Sequence, residues 1–103
     1  MRHSLYGVRD SGVSEVVLEI GSFLNCDFKV RESDYLGVYQ VAIIPEGKIQ
    51  VIAQPDPEGE PIEDEFKEYA TLIYIDGEFE IPQIDGLLLP RGRLERLRSY
   101  EVN

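Results

Sequence analysis

Two β-prone runs separated by one turn signal constrain this chain more than any other feature. Tyr35 to Ile44 is rich in aromatic and β-branched residues, Pro45-Glu46-Gly47 interrupts it, and Ile49 to Ala53 resumes the alternation. Such a pair reads as a β-hairpin, because turn residues sit between two segments suited to a pleated surface. The remaining segments are read as what completes and covers that sheet.

Val13, Val16, Val17, Ile20 and Leu24 recur at spacings of three and four, which places them on one face of a helix over Gly12 to Asn25. Asp10 and Ser11 offer N-cap oxygens, and Glu15 suits the positive end of the helix dipole. Before it, Leu5, Tyr6 and Val8 form a short β-prone run. After it, Cys26, Phe28 and Val30 alternate with Asp27, Lys29 and Arg31, the period of a strand with one apolar face. Ala70 to Ile75 is almost continuously apolar, as expected of a buried central strand closed by Asp76-Gly77. Ile81, Ile84, Leu87 and Leu88 suggest a short helix interrupted by Pro82 and Gly86. Leu94, Leu97, Tyr100 and Val102 fit a last strand with a bulge, or a terminal helix. The order implies an α+β fold: one antiparallel or mixed sheet of about five to six strands, with one main helix on one face. At 103 residues, 43% of them apolar, the chain has enough material for one core and reads as a single domain over residues 1–103.

Charge narrows the function classes. Ten basic residues against twenty acidic ones leave a net charge of −10. Binders of nucleic acid need Lys and Arg against phosphate, so nucleic acid is not the expected partner. Anionic membrane surfaces are disfavoured for the same reason. The first ten residues lack the apolar region of a signal peptide, and the longest unbroken apolar run, Val41 to Ile44, is far too short to span a bilayer. A single cysteine excludes an internal disulfide and suits a reducing cytosol, so the expected location is cytoplasmic.

Catalytic and metal chemistry find little support. His3 is the lone histidine and stands two residues from the chain start, where backbones are usually mobile. One His and one Cys cannot supply an ordinary zinc ligand set. Cys26, on the apolar side of its run, reads as a structural thiol, because a reactive one needs a cationic neighbour. The scattered glycines match no phosphate-binding loop. Asp56-x-Glu58-x-Glu60 superficially resembles a calcium loop, but the glycine and the closing acid are out of register. No catalytic residue, cofactor or metal site is therefore expected, and the chain is not read as an enzyme.

The distribution of charge is more informative than its total. Residues 1–31 carry four acids and four bases, and residues 91–103 carry four arginines and two glutamates. Residues 32–90 carry fourteen acids against Lys48 and Lys67, and seven of those acids lie between Asp56 and Glu68. Gln54 to Pro61 contains three prolines and a glycine, which excludes helix interior and central strand, with a helical turn at Glu63 to Lys67. The ordinary reading is a solvated acidic loop. The sharper one is an anionic docking surface made of Asp56, Glu58, Glu60, Glu63, Asp64, Glu65 and Glu68. Phe66, with Ile62 and Tyr69, would be its apolar anchors, and Asp34, Tyr35 and Tyr39 its neighbours.

Three segments, Arg31-Glu32-Ser33-Asp34-Tyr35-Leu36-Gly37, Gln54-Pro55-Asp56-Pro57-Glu58-Gly59-Glu60 and Leu72-Ile73-Tyr74-Ile75-Asp76-Gly77, give a characteristic composition and order. In these the chain resembles the small acidic bacterial immunity proteins of polymorphic or contact-dependent toxin systems. The resemblance transfers no individual residue. It implies a cytoplasmic inhibitor whose partner is a basic toxin domain, often a nuclease, against which acidic groups imitate phosphate. The alternative is a small-molecule-binding or enzymatic α+β domain with a pocket between helix and sheet.

Overall fold

The computed structural model describes residues 1–77, 88–89 and 92–101, with the expected hairpin at one side of a six-stranded antiparallel sheet. In chain order the elements are β1 (Arg2–Val8), α1 (Val13–Leu24), β2 (Lys29–Ser33), β3 (Gly37–Ile44) and β4 (Gly47–Ala53). A 3-10 turn (Asp64–Phe66), β5 (Thr71–Gly77) and β8 (Glu95–Glu101) follow, the last preceded by a two-residue pair, β6 (Leu88–Leu89) with β7 (Gly92–Arg93). The strand order is β2-β3-β4-β5-β1-β8. The first strand is thus an interior one, between β5 and β8. One sheet with one helix packed on it is the α+β architecture that the periodicities imply.

The alternation of side chains sorts the core. Tyr6 and Val8 of β1, Ala42 of β3, Ile49 and Val51 of β4, and Ile73 and Ile75 of β5 face α1 and meet its Val16 and Ile20. Leu94 completes this layer. Each Val, Ile or Leu among them contributes roughly 1.5–3 kcal/mol on leaving water. On the opposite face a second cluster gathers Leu5, Leu72 and Tyr69, with Ile62, Phe66 and Leu97 packed against it. The segment 62–69 therefore covers part of the face that the helix leaves open.

Several expectations needed correction. The helix begins at the expected place, but its N-cap is Gly12 without a side-chain cap, and the Glu15 carboxylate instead receives the Gly12 N–H at 3.5 Å. Ser11 is drawn into the interior, where its carbonyl accepts the Thr71 hydroxyl at 2.7 Å, so it is not spent on capping. At the other end Asn25 is the left-handed C-cap, with φ 54° and ψ 53°. The alternation over Cys26, Phe28 and Val30 does not form one strand. Cys26 and Phe28 lie before β2 and pack against the core, whereas Val30 is 61% exposed. The reason is position: β2 is the outermost strand, while α1 lies over β3 and β4.

Tyr35 is in the β2–β3 turn, not in the strand, because the Ser33 hydroxyl accepts the Leu36 N–H at 2.8 Å and Gly37 takes φ +74°. Asp76 and Gly77 do not close β5 but belong to it, opposite Lys48 and Gly47. The final element is the bulged strand. Leu5 pairs with Arg98 and Tyr6 with Arg96, so Leu97 is the extra residue. The short helix proposed at Ile81, Ile84 and Leu87 lies outside the described residues, and Leu88 belongs to β6.

Candidate functional site

The acidic segment leaves the end of β4 through a cis Gln54–Pro55 peptide and returns to the start of β5. Its composition forbids a backbone ladder, so side chains must supply the missing hydrogen bonds. Gln54, buried at this point, supplies four. Its amide nitrogen donates to the carbonyls of Phe66 (2.7 Å) and Tyr69 (2.8 Å), and its amide oxygen accepts from the N–H groups of Ile62 (3.0 Å) and Glu63 (3.2 Å). One buried amide thus holds both ends of the 62–69 arch.

Asp56 fixes the preceding loop. Its carboxylate accepts the N–H groups of Glu58 and Glu60, each at 2.9 Å, and it is only 9% exposed. Glu63 is also engaged: it accepts the Tyr74 hydroxyl at 2.6 Å and faces Arg98 at 3.0 Å. Burial alone would raise the Glu63 carboxyl, but the hydrogen bonds from Arg98 and Tyr74 outweigh it and hold it below the usual carboxylate range. Burial and that same carboxylate push the Tyr74 hydroxyl well above the usual phenol range.

The apolar residues of the segment point inward. Tyr69 is buried in the second cluster and Phe66 meets its ring edge-on at a centroid distance of 6.3 Å. Their first task is to seat the arch on Leu5 and Leu72, not to project from it. Gly7 permits this close approach: a Cβ there would lie 2.8 Å from both the Tyr69 ring and the Leu97 side chain.

The other acids remain outward. Glu58, Glu60, Asp64, Glu65 and Glu68 are exposed, as are Glu32 and Asp34 in the neighbouring hairpin. The two groups are brought together where the β2–β3 turn meets the loop, a Cβ on Gly37 falling 2.9 Å from the Pro57 ring. Tyr35, 67% exposed, stands on this turn. Tyr39 is placed differently, half-buried on β3 opposite Arg31.

Comparison with protein-family models, curated proteins and solved structures returned no match. Function must therefore be argued from the chain's own geometry.

Two further features bear on chemistry. Burial, then the charge of Asp27, raises the Cys26 thiol, which disfavours the nucleophilic thiolate. His3 is not in a frayed end: it lies in interior strand β1, with Nδ1 2.5 Å from the Asp76 carboxylate and its ring stacked on Tyr100 at 5.1 Å. Sequence reasoning missed this site because its members are 73 and 97 positions from His3. The only available signal was an acid, Asp76, directly after an unbroken β-prone run. Among the described residues no helix is long and apolar enough to cross a membrane, and no group of three or more His, Cys, Asp or Glu is arranged to hold a metal ion.

Proposed function

We propose that this chain is a binding protein that docks a cationic protein partner with its acidic end, as an immunity protein docks a basic, nuclease-type toxin domain in the cytoplasm. The observation that carries the reading is the division of labour among the acids. Asp56 is spent on fixing the loop backbone and Glu63 on tying the arch to the Tyr74 and Arg98 side chains, while Glu58, Glu60, Asp64, Glu65 and Glu68 stay exposed on the scaffold so fixed. A merely solvated loop does not need its backbone held by a buried amide and a buried carboxylate. A docking surface gains from it, since ordering costs are met before the partner arrives.

The adjoining turn extends the surface with Glu32 and Asp34, and Tyr35 supplies an exposed aromatic ring of the kind enriched at interface centres. Like charges gathered at one end repel each other, and a basic partner relieves that repulsion. Steering by such a surface raises the association rate and is screened by salt.

The experiment is association kinetics with a cognate basic toxin domain across a range of salt. Neutralising Glu58, Glu60, Asp64, Glu65 and Glu68 together should slow association at low salt by at least about tenfold and flatten the salt dependence. An unchanged, salt-independent rate would remove the acidic end from the interface.

A further inference from the structure

The face of the sheet away from α1 carries a row of four side chains in register across four strands. Lys48 on β4 lies opposite Asp76 on β5, Asp76 opposite His3 on β1, and His3 opposite Tyr100 on β8. In the next row Tyr74 lies opposite Leu5, and Leu5 opposite Arg98. Between the rows is a notch of about 70 Å³ lined by His3, Leu5, Tyr74, Asp76, Arg98 and Tyr100. It sits near the start of β1 and the end of β5, whereas the acidic loop joins the end of β4 to the start of β5. The two features meet at Glu63 of the arch, whose carboxylate reaches Tyr74 and Arg98 in the notch.

Two nitrogen-bearing groups line this notch, and each is backed by its own carboxylate. Asp76 takes His3 Nδ1, which fixes the tautomer with the hydrogen on Nδ1 when the ring is neutral and leaves Nε2 as the free ring atom. The Tyr100 ring stacked at 5.1 Å fixes the plane of the imidazole. Glu63 takes Nη1 and Nη2 of Arg98, at 3.4 and 3.0 Å. A guanidinium has five N–H donors, so this contact leaves others to spare. Backing carboxylates orient a cationic side chain while leaving its other edge for a ligand. Neither group is deeply buried, His3 being 29% and Arg98 43% exposed at the side chain. Lys48, opposite Asp76, adds a further positive charge on the same face.

We propose that this notch binds a small oxyanion, the carboxylate or phosphate group of a small-molecule ligand, between the Nε2 edge of His3 and the N–H donors of Arg98 not taken by Glu63. Tyr74 and Tyr100 form its aromatic rim and Leu5 its floor. Nε2 donates to the anion in the imidazolium form, in which Nδ1 donates to Asp76 at the same time. The charged and titratable groups facing His3 are Asp76, Lys48, Tyr100, Tyr74 and Arg98, with Glu63 behind Arg98. This site uses none of the exposed acids of the docking surface, and Glu63 is the group that touches both.

The test is a nuclear magnetic resonance titration of the whole chain with inorganic phosphate and, separately, with acetate, at about pH 6 and constant ionic strength. Saturable shifts of the His3 ring and of the Arg98 and Tyr100 signals are expected. His3→Gln and Arg98→Gln should each weaken binding by about tenfold or more, while Lys29→Gln on the distant strand β2 leaves it unchanged. Tighter binding of phosphate assigns a phosphate-bearing ligand, tighter binding of acetate a carboxylate-bearing one, and equal binding the shared chemistry alone. Shifts that rise without saturating, or that fall equally in Lys29→Gln, would overturn the site. Should a variant lose its native spectrum, the wild type decides by itself: titrations in which neither the His3 ring nor the Arg98 signals shift saturably refute the proposal.

Discussion

The Tyr74 hydroxyl donates to the Glu63 carboxylate across 2.6 Å, joining the centre of the sheet to the arch that covers it. Arg98 approaches the same carboxylate from β8, so three elements distant in sequence share one fastening. Its pH response follows from the direction of the shift. Glu63 is held below the ordinary carboxylate range, so its contribution is present above the unfolded-state value and disappears as the pH falls through the folded one. Denaturant titrations at decreasing pH should show the wild type losing more stability than Glu63→Gln over the acidic limb. Parallel curves would separate Glu63 from that loss.

Tyr74 gives the alkaline counterpart. Its hydroxyl is raised by burial and by Glu63, so its contribution is complete below the unfolded phenol value and is lost as the pH rises toward the folded one. Phenolate absorbance should develop in Tyr74→Phe with one late-titrating tyrosine fewer than in the wild type.

Gln54→Ala removes four hydrogen bonds to the arch and strands buried backbone groups. The expected cost is about 3 kcal/mol, with the loss concentrated in residues 62–69. Amide hydrogen exchange should therefore accelerate at Ile62 and Glu63 well before it does in β4 or β5. Uniform acceleration across the sheet would contradict a local role.

Asp56 and its exposed neighbours should respond in opposite directions. Asp56→Ala abandons two backbone N–H groups and should cost about 2 kcal/mol. Neutralising Glu58 or Glu60 relieves repulsion and should leave stability unchanged or slightly higher at low salt. Thermal midpoints of the single variants measure both.

Ser11 offers a prediction of opposite sign. Its hydroxyl is buried and has no hydrogen-bond partner among the described residues. Ser11→Ala removes an uncompensated polar atom and should be neutral or stabilising by about 1 kcal/mol in a denaturation experiment. A marked loss would mean that the hydroxyl has a partner.

The local elements were legible because their signals are local. Spacings of three and four placed α1 within a residue at each end, and the turn at Pro45-Glu46 marked the β3–β4 hairpin. The spacing of Leu94, Leu97 and Tyr100 left a bulged strand or a helix open, and pairing with β1 decided for the strand. Residue type also set Gln54 to Pro61 apart as a stretch that is neither helix interior nor central strand, with a helical turn after it, found at Asp64–Phe66. Only the tertiary structure decided that β1 sits between β5 and β8, and everything unforeseen follows from that insertion. It carries His3 out of a nominal chain end to Asp76, and gives Gly7 the narrow gap that Tyr69 fills. It also sets Arg98 beside the Glu63 that Tyr74 already holds. Periodicity reports which face a side chain occupies, but the neighbour on that face depends on strand order and register. Those are fixed by the burial of the whole sheet.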